Sequence, residues 1–117
     1  MSYYVGSVEK PAGERGWLVG AFLEKNHPCF SEAVEVAWKE LGADARDPKH
    51  IHKLAIEISV IIKGSQVVIV DGQHLTLKSG TYIVVRPSTP VEVLDAEEGT
   101  IVLVIKVPSL PGDKYSC

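Results

Sequence analysis

The chain has 117 residues, with 12 Lys and Arg against 15 Asp and Glu, and a formal net charge of −3. This length is enough for one domain with a hydrophobic core that needs no disulfide staples. A slightly acidic chain without a basic run gives no electrostatic reason to expect a nucleic-acid partner. Its apolar stretches are too short to span a membrane, so we expect no membrane partner.

The N-terminus lacks the charged and apolar regions of a secretory signal peptide. The chain has two cysteines, Cys29 and Cys117, fewer than a secreted domain stapled by disulfides usually carries. We therefore expect two reduced thiols in a cytoplasmic protein.

The first part of the chain is predicted to be irregular and then to enter a strand. Residues 1–16 contain three glycines and a proline, which predicts an N-terminal arm with one short strand at Tyr3–Val5. The apolar run Trp17–Leu23 is bounded by glycine on one side and by a loop ending in Pro28 on the other. It predicts a buried strand.

The segment Ser31–Leu41 fits two kinds of secondary structure. Its Glu, Ala, Lys and Leu residues favour a helix by propensity. Val34, Val36 and Trp38, however, alternate with more polar residues, as in a half-buried strand. The sequence pattern alone does not decide between a helix and a strand for this segment. The next segment, 42–48, is predicted to be a loop.

From residue 51 to residue 107 the pattern is strongly β. Asp71-Gly72 lies between two alternating segments and predicts a tight hairpin. The predicted strands are Ile56–Ile62, Gln66–Val70, Gln73–Leu77, Thr81–Arg86, Val91–Leu94 and Thr100–Val107. Two prolines and a glycine then predict that residues 108–117 form a C-terminal tail without regular structure. Short strands separated by regular turns indicate a sandwich or a barrel in a single domain, residues 1–117.

Two histidines stand out at the start of this β region. His50 and His52 are separated by one residue and can share one face of a strand, and Glu57 follows five positions later. Two imidazoles and one carboxylate are common ligands of a divalent transition metal. The candidate metal ligands are therefore His50, His52 and Glu57.

The spacing His-x-His-x4-Glu-x6-Gly, which ends at Gly64, resembles the first motif of the cupin superfamily. Asp44 stands where that motif usually opens with glycine. The resemblance covers roughly Val34 to Val107. It implies an all-β fold, a small jelly-roll (cupin) β-barrel that is often dimeric, and it favours a strand for the ambiguous segment before the histidines.

The second cupin motif is only partly matched. Gly80 and Pro87 correspond to its first glycine and its proline, but Val91 stands where the family pattern has a metal-binding histidine. The usual fourth ligand is therefore absent.

The alternation of side chains along a strand sets a condition for Glu57 to reach the two histidines. If both histidines point into the barrel, an unbroken strand would place Glu57 on the outside. The carboxylate joins the site only if a turn or bulge near residues 53–55 changes the parity. Ile56, Ile58 and Val60 would then face outwards with Ile62 and need cover from another sheet, a partner subunit or the N-terminal arm. This surplus of apolar faces, the apolar run Trp17–Leu23 and the dimers common in the cupin family predict a homodimer.

The resemblance implies a divalent metal (Fe, Mn, Zn or Ni) and a small-molecule ligand in the barrel, with catalysis left open. The alternative is a metal-free barrel that binds a sugar or an organic acid without turnover. Trp17 and Trp38 are expected in the core or at an interface rather than against a ligand.

Overall fold

The computed structural model describes residues 2–117, and these contain ten β-strands and no helix. The strands are β1 Trp17–Val19, β2 Glu35–Leu41, β3 Asp47–Ile51, β4 Ile56–Lys63, β5 Ser65–Val70, β6 Gln73–Lys78, β7 Tyr82–Val85, β8 Val91–Ala96, β9 Thr100–Val107 and β10 Tyr115–Ser116. The all-β prediction is confirmed. Within this described part, no helix could cross a membrane.

The strands form two antiparallel five-stranded sheets. The first sheet has the order β1-β2-β9-β4-β7, and the second has the order β10-β3-β8-β5-β6. Neighbours in each sheet are often distant in sequence, which is typical of a double-stranded β-helix. The inner faces of the two sheets enclose a cavity lined from both sides.

Strand β9 is the centre of the first sheet and decides the conformation of β2. All seven residues of β2, from Glu35 to Leu41, pair in register with Lys106 to Thr100. This long pairing resolves the ambiguity between helix and strand in favour of a strand. It also makes Glu35 and Ala37 the buried residues of β2, whereas Val36 and Trp38 lie on the outer face and are half-buried.

Two turns show why glycine is required where the sequence has it. Asp71 and Gly72 have φ angles of 50° and 79°, as the predicted two-residue hairpin demands. Gly64 has a φ of 81°, and a Cβ there would lie 2.3 Å from Thr100 Oγ1. The glycine that ends the His-x-His motif is therefore fixed by the close approach of β4 to β9.

Four local predictions are wrong. The predicted loop 42–48 is shorter than expected, because β3 begins at Asp47. Tyr3–Val5 forms no strand, and the arm makes only an isolated bridge between Ser7 and Lys10. The first strand ends at Val19, because the chain turns at Gly20. The C-terminal tail is not wholly irregular, since β10 pairs with β3.

Candidate metal and ligand site

The two histidines lie at the end of β3, beside the C-terminal strand. His50 is on β3 and is 4% exposed, and His52 follows directly after the strand and is 6% exposed. Their ring centroids are 5.2 Å apart. The two imidazoles therefore lie close together in a buried position.

The chain changes sheet between the histidines and the carboxylate. Strand β3 belongs to the second sheet and β4 to the first, and the chain bends at Lys53-Leu54 between them. This break interrupts the alternation of side chains, so that Glu57 can face the same side as the histidines. As a result, Glu57 Oε2 lies 3.3 Å from His52 Nε2.

Asp113 holds this bend and was missed by the sequence analysis. Its carboxylate accepts hydrogen bonds from the backbone N–H groups of Lys53, Leu54 and Ala55, at 2.9 to 3.0 Å. Its own backbone carbonyl accepts a hydrogen bond from His52 Nδ1 at 2.5 Å. Asp113 lies about sixty residues from its partners in sequence, so no local pattern could have identified it.

The hydrogen bonds of the two rings determine which nitrogen is free. His50 Nδ1 donates to the Pro48 carbonyl at 2.7 Å, as His52 Nδ1 does to Asp113. Because a carbonyl oxygen only accepts, Nδ1 carries the proton and the lone pair of a neutral ring is on Nε2. A backbone acceptor on one nitrogen is the usual support of a metal-binding histidine.

The electrostatics couple His52 to Glu57. Interaction with the Glu57 carboxylate raises the pKa of His52, against the opposing effect of burial. Burial alone would raise the pKa of Glu57, but His52 and Lys106 outweigh it, and the pKa of Glu57 is lowered. Lys106 Nζ is 3.7 Å from the same carboxylate oxygen.

The side chains meet part of the geometric requirement for a metal. Two atoms bonded to one tetrahedral ion at about 2.0–2.2 Å lie roughly 3.4 Å apart, close to the 3.3 Å between His52 Nε2 and Glu57 Oε2. His52 Nε2 is buried and has no hydrogen-bond partner in the described part of the chain. Within residues 2–117, however, no three His, Cys, Asp or Glu side chains converge enough to hold an ion.

Val91 is the neighbour of His50 on β8. The two residues are paired directly across the antiparallel strands, so their side chains point to the same face. Val91 is 7% exposed and lines the cavity. An apolar side chain therefore stands beside the histidine pair where an additional ligand would fit.

The cavity between the sheets has a volume of about 820 Å³. Valines from both sheets line it, including Val68 and Val102, together with charged side chains that include Lys39 and Lys106. Trp17 also lines the cavity, so it does not belong only to the core or an interface, as the sequence suggested. A space of this size, with apolar walls and a few charged groups, suits a small organic molecule.

No protein-family profile and no curated protein matches the chain by sequence. Solved structures do match. A cupin protein from Bacteroides fragilis has a TM-score of 0.68 and 26% identity over 96% of this chain and 91% of its own. Streptomyces PAC13, solved with uridine, has a TM-score of 0.71 at 12% identity, over 100% of this chain and 95% of its own.

The DMSP lyase DddQ from Ruegeria pomeroyi matches with a TM-score of 0.66 and 19% identity over 80% of this chain. The match takes in 47% of the lyase, so the chain spans about half the length of that protein. These likenesses agree with the two-sheet topology. The chain is therefore a small domain with the cupin fold.

Proposed function

We propose that His50, His52 and Glu57 hold a divalent metal ion (Fe, Mn, Zn or Ni) and that the barrel binds, or acts on, a small molecule. The observation that carries this proposal is the buried lone pair of His52 Nε2, which faces the Glu57 carboxylate at 3.3 Å without a hydrogen bond. Two buried acceptors facing each other are unfavourable unless a metal ion or a proton lies between them, and we propose the metal ion.

The protein side of such a site is already oriented. The Pro48 and Asp113 carbonyls fix the two Nδ1 atoms and turn the Nε2 atoms away from the backbone. A bound metal would act as a Lewis acid with coordination positions open to water or substrate. Lys106, which contacts Glu57, keeps that carboxylate ionised and able to serve as a ligand.

The cavity supports a small-molecule ligand. Its volume of about 820 Å³ is within the range of typical ligand pockets. Among the structural neighbours, PAC13 was solved with uridine and DddQ is a lyase, so this barrel shape serves both binding and catalysis.

The alternative is a metal-free barrel that binds a sugar or an organic acid without turnover. Two observations favour it. Val91 occupies the position beside His50, and no three ligands converge among residues 2–117. In this state a proton replaces the metal, and His52 and Glu57 form an imidazolium–carboxylate pair, in agreement with the raised pKa of His52.

Metal analysis of protein purified without chelator, followed by a metal titration at neutral pH, separates the two functions. We expect near-stoichiometric metal in the wild type and its loss in His50→Ala and His52→Ala. His74→Ala is the matched control, because His74 is exposed on the edge strand β6, which two other strands separate from β3. A wild-type protein that takes up no metal would leave only the alternative.

A variant that adds a ligand extends the same titration. Because Val91 faces the same side as His50, Val91→His should raise metal affinity by about tenfold or more through an additional imidazole. Val93→His is the control, since Val93 lies two residues further along β8. An affinity unchanged by Val91→His would show that the metal does not lie next to His50.

We also propose that the protein is a homodimer through the outer face of the first sheet. This face consists of the outward side chains of β2, β9, β4 and β7. The apolar ones include Val36, Trp38, Ile101, Leu103, Ile105, Val107, Ile56, Ile58, Val60, Ile62, Tyr82 and Val84. A contiguous apolar face of this extent is typical of a protein–protein interface.

A further inference from the structure

Lys39 presents its ammonium group in the cavity without a partner of opposite charge. It lies on β2, with its Nζ 4.8 Å from the centre of the Trp17 ring. One of its N–H bonds is used by the Arg15 carbonyl at 2.8 Å. In residues 2–117 it forms no ion pair with a carboxylate, so two N–H donors remain.

The surroundings of Lys39 are positive. Lys106 Nζ lies 5.2 Å from the same Trp17 ring. Burial is the main cause of a lowered pKa of Lys39, followed by the positive charges of Arg15, Lys106 and Lys114, while Asp47 acts in the opposite direction. Lys106 is already paired with Glu57 and Lys114 with Asp47. Among residues 2–117, Lys39 and Arg15 therefore remain as the basic residues of this part of the cavity without a carboxylate partner, and of these Lys39 lies over the Trp17 ring.

We propose that the cavity binds a small monocarboxylate with an apolar body, whose carboxylate contacts Lys39 beside Trp17 and whose hydrocarbon part packs on the valine walls. This inference rests on the proposed use of the barrel for a small molecule, and it does not depend on the metal.

Charge and surface chemistry select this class of ligand. Lys106 and Lys114 are held by carboxylates of the cavity wall, so few cationic donors are left for a phosphate or another multiply charged anion. A single carboxylate needs only the two free donors of Lys39. The Trp17 ring, which packs edge-on against Phe22 at 5.7 Å, and the valines provide apolar surface for the rest of the ligand.

The test is calorimetric titration of the chelator-treated protein with two matched pairs of probes, benzoate with benzamide and hexanoate with hexanamide. We expect each carboxylate to bind at least about tenfold more tightly than its neutral amide, because only the carboxylate gains charged hydrogen bonds. Lys39→Met should abolish this preference and Lys39→Arg should keep most of it. Lys63→Met, at the exposed end of β4, is the control and should behave as the wild type.

The outcomes separate this proposal from the function proposed above. Equal binding of carboxylate and amide would overturn the carboxylate site while leaving a barrel that binds small molecules. Absence of binding by either carboxylate at about 10 mM would also overturn it, and so would a preference that survives Lys39→Met. A carboxylate preference in a protein that takes up no metal would support the carboxylate site and refute the metal.

Discussion

The lone pair of His52 Nε2 can be occupied by a proton or by a metal, and this competition gives the residue a double role. The Asp113 carbonyl holds the opposite side of the ring, so the ring presents the same nitrogen to Glu57 in both states. A metal requires the neutral ring and the ionised carboxylate, and its affinity should therefore fall as the pH decreases. The stability of the metal-free protein should instead fall as the pH rises, because the His52–Glu57 pair then loses its proton.

The pH dependence of stability in the metal-free protein follows from the two pKa shifts. The pKa of His52 is raised, so its stabilising contribution is complete below the unfolded value of about 6.5 and is lost as the pH rises through the folded pKa. The pKa of Glu57 is lowered, so its contribution is present above an unfolded value of about 4.3 and is lost as the pH falls through the folded pKa. Urea unfolding with chelator should therefore give lower stability at pH 8.5 than at pH 6.

Two glutamine variants test whether His52 causes this decrease in stability with rising pH. His52→Gln cannot be protonated, and it should remove most of the decrease in stability above pH 6. His74→Gln leaves the buried pair intact and should keep the decrease, because His74 is exposed. A decrease that persists unchanged in His52→Gln would show that another group causes it.

At the scale of elements, a two-residue strand and one aspartate fasten the C-terminal segment to the metal motif. Strand β10 pairs with Ile51 and His50, and Asp113 accepts three backbone hydrogen bonds from the bend that follows. These hydrogen bonds lower the pKa of Asp113, although burial acts against them. The segment thus determines where the histidines point.

Asp113→Asn should lower the free energy of unfolding by about 3 kcal/mol, because it removes the charge and turns an amide N–H towards backbone donors. Metal affinity should fall in the same variant, since the orientation of His52 depends on this bend. Chemical denaturation and the metal titration provide the two measurements. Asp44→Asn is the control, as Asp44 is exposed in the preceding loop, and a loss below about 0.5 kcal/mol for Asp113→Asn would contradict the role.

The elements that could be predicted from the sequence are those determined locally. The Asp71-Gly72 hairpin and the β9 boundaries Thr100–Val107 follow from turn residues and alternation, and the structure agrees with both. The strand β2 required pairing with β9 to overcome its helix propensity. Strand β10 could not be predicted, because two residues have no pattern of their own and pair only when β3 is in place.

The same distinction applies to the site. The spacing of His50, His52 and Glu57 marked the candidate ligands, and the bend between sheets was deduced from parity. Lys39 and Trp17 were not expected in the cavity, since the direction of β2 side chains depends on its register with β9, far along the chain. The sequence pattern left helix and strand open for this segment, and the structure makes it a strand with Val36 and Trp38 on the outer face.

For the whole molecule, the feature that most calls for a packing partner is the outer face of the first sheet, which exposes apolar side chains. Tyr82 is 70% exposed, Val84 is 45% exposed and Val107 is 42% exposed, and β7 is an edge strand. Burial of such a face stabilises by about 25 cal/mol for each Å² removed from water, and pairing also protects the edge from aggregation. Light scattering should therefore give the mass of a homodimer at high micromolar concentration.

A charged residue on this face tests which surface forms the dimer. Val84→Glu would place an unpaired carboxylate in the apolar interface, and it should shift the protein to the monomer mass with its fold intact by circular dichroism. Thr76→Glu is the matched control, because Thr76 is exposed on β6 of the second sheet, on the face away from the cavity. A dimer that withstands Val84→Glu but dissociates with Thr76→Glu would assign the interface to the second sheet, and a monomeric wild type would refute the homodimer.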